Sequence, residues 1–155
     1  MINLIWAMDE NWLVGKDDLI PWHIKEDLLY FKSKVKGKTV VMGDTTYFSL
    51  KGYYKNRPLP YGKIYVASLD TNLKLEDAEV INDFKSFIEN YKEEIWVTGG
   101  ATIFKMALPY ADNLYISFIK GQYEGNIYFP KFDLEQYKLT WKEDTERVIF
   151  SLYTK

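Results

Sequence analysis

Apolar positions fall in short runs separated by stretches with helical spacing. Ile2 to Met8 is apolar except at Asn3 and stops at Asp9-Glu10, which predicts a buried strand. After a loop, Ile24, Leu28, Phe31 and Val35 recur at helical intervals. At about 100° per residue they share one narrow stripe, while Lys25, Glu26, Lys32 and Lys34 point elsewhere, so Ile24 to Val35 reads as an amphipathic helix. The alternation continues: Thr39 to Met42 strand, Thr45 to Leu50 helix, Ile64 to Ala67 strand, Asp83 to Tyr91 helix, Ile95 to Thr98 strand, Ala101 to Leu108 helix. Such alternation predicts a mostly parallel sheet. Beyond Pro109 the pattern changes. Asn113 to Ile119, Tyr137 to Lys142 and Val148 to Tyr153 are β-rich with no helix between them, so antiparallel strands are expected to finish the sheet. The Pro/Gly-rich stretch Gly52 to Gly62 is short enough for a surface loop, and 1–155 reads as one α/β domain: a central, mostly parallel sheet with antiparallel C-terminal strands and flanking helices.

Composition narrows the chemistry. With 155 residues, 47% of them hydrophobic, the chain suffices for one core. Twenty basic residues against 22 acidic ones leave no basic face for a polyphosphate backbone, so no nucleic-acid partner is expected. The absence of cysteine removes disulfides and thiolate nucleophiles, and with His23 the only histidine no metal site is expected. No window approaches the roughly 20 apolar residues that span a bilayer. The N-terminus has no basic leader. No membrane partner is expected, and the expected location is cytoplasmic.

Asp27 lies at the edge of the apolar stripe, beside Ile24 and Phe31. Partial desolvation there raises a carboxyl pKa and suits a buried polar ligand. An acidic residue in the first helical turn also suits the helix dipole, and spacing leaves both readings open. Two strand-to-helix junctions carry glycine: Gly43 before Asp44-Thr45-Thr46, and Gly99-Gly100-Ala101-Thr102 before Ile103 and Phe104. Helix N-termini receive anions, and paired glycines let a backbone approach a ligand closely. Neither junction is a dinucleotide fingerprint or a Walker loop, and a single one also serves plain chain reversal. Two in one small domain favour a nucleotide.

Val14-Gly15, Ile20-Pro21-Trp22-His23, Asp27-Leu28, Phe31-Lys32, Met42-Gly43, Thr46, Pro58-Leu59-Pro60, Gly99-Gly100 and Phe129-Pro130 together resemble dihydrofolate reductase, in order and over nearly the whole chain. The specific part is P-W-x-x-x-x-D-L-x-x-F-K with the later glycine pair. The resemblance implies reduction of 7,8-dihydrofolate to tetrahydrofolate by hydride from a reduced nicotinamide cofactor, NADPH. It implies that Asp27 pairs with the pterin 2-amino group and N3, that a proton reaches N5 through water, and that Trp22 and Ser117 support Asp27. Ser117 stands where the family commonly has threonine. Ile5, Ala7, Leu28, Phe31, Leu50, Leu59 and Phe104 are implied as the substrate wall, with Lys32 near the substrate tail. The loop Asp9 to Trp22 is implied to cover the nicotinamide. Cofactor contacts are implied for Ala7, Val14, Gly15, Ile20, Gly43, Asp44, Thr45, Thr46, Ser68, Thr98, Gly99, Gly100, Ala101, Thr102, Ile103 and Phe104. Gly99-Gly100 matches the family's cis Gly-Gly step.

Four further positions depart from the family pattern. Asp44 stands where a basic residue usually binds the cofactor 2′-phosphate, and Thr102 replaces a residue that is often arginine, so use of NADH is expected alongside NADPH; in dinucleotide folds an acidic residue accepts from a free ribose 2′-hydroxyl. After Pro58-Leu59-Pro60 the family's tail-binding arginine is replaced by Tyr61-Gly62-Lys63. Arg57 and Arg147 are the only arginines, which leaves Lys32 or Lys63 as point charges and implies a weakly held glutamate tail. Asn126, beside Gly125, replaces a frequent acidic residue in a loop that contacts the mobile one. The expected molecule is a monomer acting on a small substrate. Two other readings are weighed against it: the pyrimidine reductase of riboflavin synthesis, which shares the fold but lacks the Pro-Trp and Asp-Leu-x-x-Phe-Lys arrangement, and a non-catalytic pterin- or nucleotide-binding relative.

Overall fold

In the computed structural model, which describes residues 1–16 and 20–155, the apolar run at the N-terminus forms β1 (Ile2–Met8), with six of its seven residues buried. Residues 17–19, part of the loop Asp9 to Trp22, lie outside the described residues. A strand buried on both faces needs cover on both and belongs in the middle of a sheet. The elements that follow are β2 (Leu13–Gly15), α1 (Lys25–Val35), β3 (Val40–Gly43), α2 (Asp44–Tyr54), β4 (Ile64–Ala67), β5 (Glu79–Ile81) and α3 (Phe84–Asn90). After them come β6 (Ile95–Val97), α4 (Ala101–Ala107), β7 (Asn113–Ile119), β8 (Ile127–Tyr128), β9 (Lys138–Asp144) and β10 (Val148–Thr154). One sheet has the order β5-β4-β3-β6-β1-β7-β10-β9, and β2 pairs with β8 separately.

Strand direction corrects one expectation. β7 runs parallel to β1, with Asn3 opposite Asn113 and Ala7 opposite Ser117; within the large sheet the antiparallel pairings are β7 with β10 and β10 with β9. The reason is the connection: α4 carries the chain from β6 across β1, and a crossover of that kind returns a strand in the same direction. At the far edge, all seven residues of β9 are exposed.

The two faces of the sheet are covered differently. On one, α3 and α4 pack over Leu4, Trp6, Met8 and Ile116, with Trp6 stacked on Phe129 at 3.9 Å between centroids and tilted against Phe104 at 5.5 Å. On the other, Val35 of α1 and Tyr47 of α2 join Ile5, Val40, Met42, Leu59 and Trp96, and Trp22 and Ile24 meet Ile119, Val148 and Phe150. The stripe on α1 does not face protein along its length. Ile24 and Val35 are buried, but Leu28 in the middle is 47% exposed. Helical spacing identifies an apolar stripe; here the centre of that stripe is open to solvent.

Candidate active site

Asp27 occupies the first turn of α1, next to the break where Ile24 is still extended. It faces Trp22, just before the helix, and Ser117 on β7, which the β1–β7 register sets beside Ala7. Burial pushes the Asp27 carboxyl above its ordinary value, and the Ser117 hydroxyl and the Trp22 indole pull it partly back. Trp22 Nε1 is buried without a protein hydrogen bond of normal geometry, so its influence on Asp27 is that of a nearby dipole. An acid placed only to complement a helix dipole sits in water with a lowered pKa. Asp27 is desolvated and shifted the other way, which favours the ligand-facing reading.

Apolar groups flank it. Phe31 and Leu50 lean on the cluster holding Ile5 and Leu59, and Ala7 leans on the one holding Trp22. Phe104 stands apart: it belongs to the opposite face, beneath Gly99 and against Trp6. Trp22 Nε1, Tyr30 Oη, Trp96 Nε1 and Thr98 Oγ1 are buried without protein partners. Trp22, Tyr30 and Trp96 belong to the clusters on the α1 side, and Thr98, two residues beyond Trp96, continues that face. Buried polar atoms are ordinarily hydrogen-bonded; of these four, Trp22 Nε1 and Tyr30 Oη lie near the desolvated Asp27 carboxyl and suit a flat heterocycle with its own donors and acceptors, whereas Trp96 packs against Tyr115, opposite Asn3 of β1. Tyr30 was legible as the i+3 neighbour of Asp27 but carried no motif. Its hydroxyl is pushed up to about 12, first by burial and then by Tyr115, Glu143 and Asp27, so it is a neutral donor. Thr98, expected on the cofactor side, is placed by this alternation on the same face as Trp96.

The two glycine junctions meet. β3 and β6 are neighbours, and Gly43 N donates to Gly99 O at 2.8 Å. Gly99–Gly100 is a cis peptide. A Cβ at Gly43 would stand 3.2 Å from Ile103 Cγ1, and one at Gly99, where φ is +124°, would stand 3.3 Å from the Phe104 ring. Gly43 offers no side chain to cap α2, and one first-turn amide, that of Thr45, is taken by Asp44. Thr46 is half-buried with Oγ1 facing Gly100, Ala101 is half-buried, and Thr45 and Thr102 are exposed. Asp44 is already engaged: Oδ1 accepts from Thr45 N at 2.7 Å and Oδ2 from Ser68 Oγ at 2.7 Å. Val14 is half-buried against the Trp6 cluster, Gly15 is buried, and Ile20 is 59% exposed.

Around the expected tail site, Lys63 pairs with Glu79 at 3.3 Å. Arg57 donates to the Tyr53 and Tyr54 carbonyls at the end of α2 and lies over the Tyr54 ring. Lys32 instead lines a groove of about 390 Å³ with Leu29, Ser33, Lys36, Tyr54 and Pro60. Among the described residues no group of three or more His, Asp or Glu side chains is placed to hold a metal, and no helix is long and apolar enough to cross a membrane.

Known proteins match this arrangement along the chain. The dihydrofolate reductase family model matches residues 1–150. The dihydrofolate reductase of Bacillus subtilis is 37% identical over 145 residues, 92% of this chain and 83% of that one, and the enzyme of Mycoplasma genitalium is 31% identical over 163 residues, 100% of this chain and 98% of that one. Among solved structures, dihydrofolate reductase from Enterococcus faecalis complexed with NADP(H) and RAB-propyl superposes with a TM-score of 0.85 at 27% identity, covering 99% of this chain and 95% of that one. With the family pattern, the sheet order and the glycine junctions in agreement, the chain belongs to the dihydrofolate reductase family.

Proposed function

We propose that the whole chain, acting as one domain and as a monomer in the cytoplasm, reduces 7,8-dihydrofolate to 5,6,7,8-tetrahydrofolate, with Asp27 as the group that seats and polarises the pterin. The observation that carries this reading is a desolvated carboxyl held between Trp22 and Ser117. A carboxylate there accepts from the pterin 2-amino group and N3, a two-point contact that fixes the ring. Its charge favours the protonated pterin, and water carries the proton to N5 because Asp27 sits at the other end of the ring. Ser117 holds Asp27 towards the anion, and Ile5, Leu28, Phe31, Leu50 and Leu59 exclude water from the ring faces. Nothing here favours a pyrimidine reductase or a silent binding relative.

The residues at the glycine junctions suit a dinucleotide. A Cβ at Gly43 would press on Ile103 and one at Gly99, where φ is +124°, on Phe104, and the start of α2, where Thr46 faces Gly100, suits the pyrophosphate. Reduced nicotinamide supplies the hydride for C6 of the pterin when bound. NADP(H) is the cofactor named with the Enterococcus faecalis structure, but Asp44 and Ser68, hydrogen-bonded to one another, offer a hydroxyl acceptor rather than a phosphate clamp. A lost charge-assisted hydrogen bond amounts to about 1.5–3 kcal/mol, roughly ten- to a hundredfold in affinity, so NADH is expected to serve this chain as well.

Loss of reduced-nicotinamide absorbance on adding dihydrofolate, run with each cofactor in turn, tests both statements. Turnover is expected with both, and Asp44→Arg is expected to shift the ratio of kcat/KM towards NADPH by at least about tenfold. A strong NADPH preference in the parent that Asp44→Arg leaves unchanged defeats the cofactor reading. No turnover with either cofactor defeats the enzyme reading.

A further inference from the structure

Asp9 is fully buried, and its carboxylate is shared between two segments that are more than a hundred residues apart. Oδ1 accepts from Asn11 N at 2.8 Å and Leu13 N at 3.0 Å, within its own turn. Oδ2 accepts from Tyr123 N at 2.9 Å, in the connection between β7 and β8. A buried carboxylate is costly unless hydrogen bonds satisfy it, and here backbone donors do so on both oxygens. The turn it closes is tight. Asp9 N donates to Leu13 O, Trp12 N donates to Asp9 O, and Trp12 has a left-handed φ of +66°. The two segments are laced further by Glu10 N to Gly121 O, Asn126 N to Gly15 O and Phe129 N to Trp12 O. They run so close that a Cβ on Gly125 would stand 2.5 Å from Gly15 O.

From Tyr123 the contact continues to the substrate side. Its ring packs edge-on against Trp22 at 5.5 Å between centroids, and Trp22 faces Asp27. We propose that Asp9 is a positioning residue. It joins the turn that sets Val14 and Gly15 to the segment whose Tyr123 braces Trp22, so the cofactor side and the pterin side of the site keep one relative placement. This rests on the reading above that Val14 and Gly15 contact the cofactor. Positional errors of about 1 Å at a reacting centre are expensive in rate, and a link of this kind is a contiguous set of contacts rather than a correlation.

The two oxygens have separate duties, so an isosteric change separates them. Asp9→Asn retains one oxygen for the Asn11 and Leu13 amides and turns an NH2 group towards Tyr123 N, two donors face to face. The turn survives and the cross-link breaks. The expected result is a single-turnover hydride-transfer rate down roughly tenfold, KM for dihydrofolate within about twofold of the parent, and faster amide hydrogen exchange at Tyr123 and residues 10–16 together. A folded variant with a parent-like rate and parent-like exchange overturns the proposal, as does an equal loss in rate and KM with unchanged exchange. Should Asp9→Asn fail to fold, Tyr123→Ala leaves Asp9 and its turn intact and removes the ring against Trp22; the same rate loss without a KM change is expected, and a parent-like rate overturns the proposal. The exchange measurement needs no turnover, so a parent inactive with dihydrofolate defeats the reading of the reaction while leaving the link between the segments to be judged on its own.

Discussion

The two faces of the sheet use the same kind of residue for opposite ends. Beneath α3 and α4, aromatic rings close on one another: Trp6 stacks on Phe129, Phe104 leans on both, and Phe132 and Tyr137 finish the layer. Beneath α1 the layer is left open. The helix buries only Val35, shows Leu28 and Leu29 to solvent, and borders buried polar atoms that have no protein partner. The first face is where burial becomes stability. On the function proposed above, the second forgoes that gain to keep a surface for a ligand, the usual trade at a functional site.

The sharpest test of the contrast is Phe129→Ala, which empties the stacked position against Trp6. A loss of about 3–5 kcal/mol in urea unfolding is expected, with residual activity at temperatures where the variant remains folded. A loss below ~1 kcal/mol would mean that the closed face does not carry the stability. Next in size is Asp27→Asn. At neutral pH its turnover is expected to fall about a hundredfold or more, while its melting temperature without ligand rises. The sign follows from the shift. The folded pKa of Asp27 lies above the ordinary 3.8, so the stability this group confers is fully present below 3.8 and is lost as pH rises through the folded value. At pH 7 the anion is a net cost that Asn does not bear. Melting curves of parent and variant across that range should diverge as pH rises; curves that stay parallel break the comparison. The smallest effect belongs to Leu28→Ala. On the open face it should change stability by less than ~1 kcal/mol, because the side chain is half in water already, yet raise KM for dihydrofolate several-fold.

What the sequence discloses follows the same division. Every helix and long strand is legible from period and run length, and α2 merely extends four residues past the end of its apolar pattern at Leu50, to Tyr54. The direction of β7 is not legible, because the run Asn113 to Ile119 would look the same in either direction and its partner β1 lies 110 residues away. β2, β5 and β8 are two or three residues long, too short to carry a period. In the site, the motif around Trp22 and Asp27 is readable by resemblance, but periodicity places Leu28 inside a core because it cannot distinguish a stripe that meets protein from one that meets a ligand. Asp9 gives no signal at all. Its partners are backbone amides, one of them 114 residues distant, and amides have no letter in the sequence. Asp44 and Ser68 are bonded across 24 residues; the glycine junction marks Asp44, but only the family pattern draws attention to Ser68.

β9 has a consequence for how the molecule behaves in company. A sheet eight strands wide ends in a row of free amides and carbonyls, the template on which neighbouring chains stack into aggregates. Here that border carries Lys138 at one end and Lys142, Glu143 and Asp144 at the other, around Leu139, Thr140 and Trp141, and its register against β10 slips between Leu152 and Tyr153. An incoming strand would have to bury ammonium and carboxylate groups and match an uneven spacing. The most open margin of the molecule is therefore a poor place for another chain to attach.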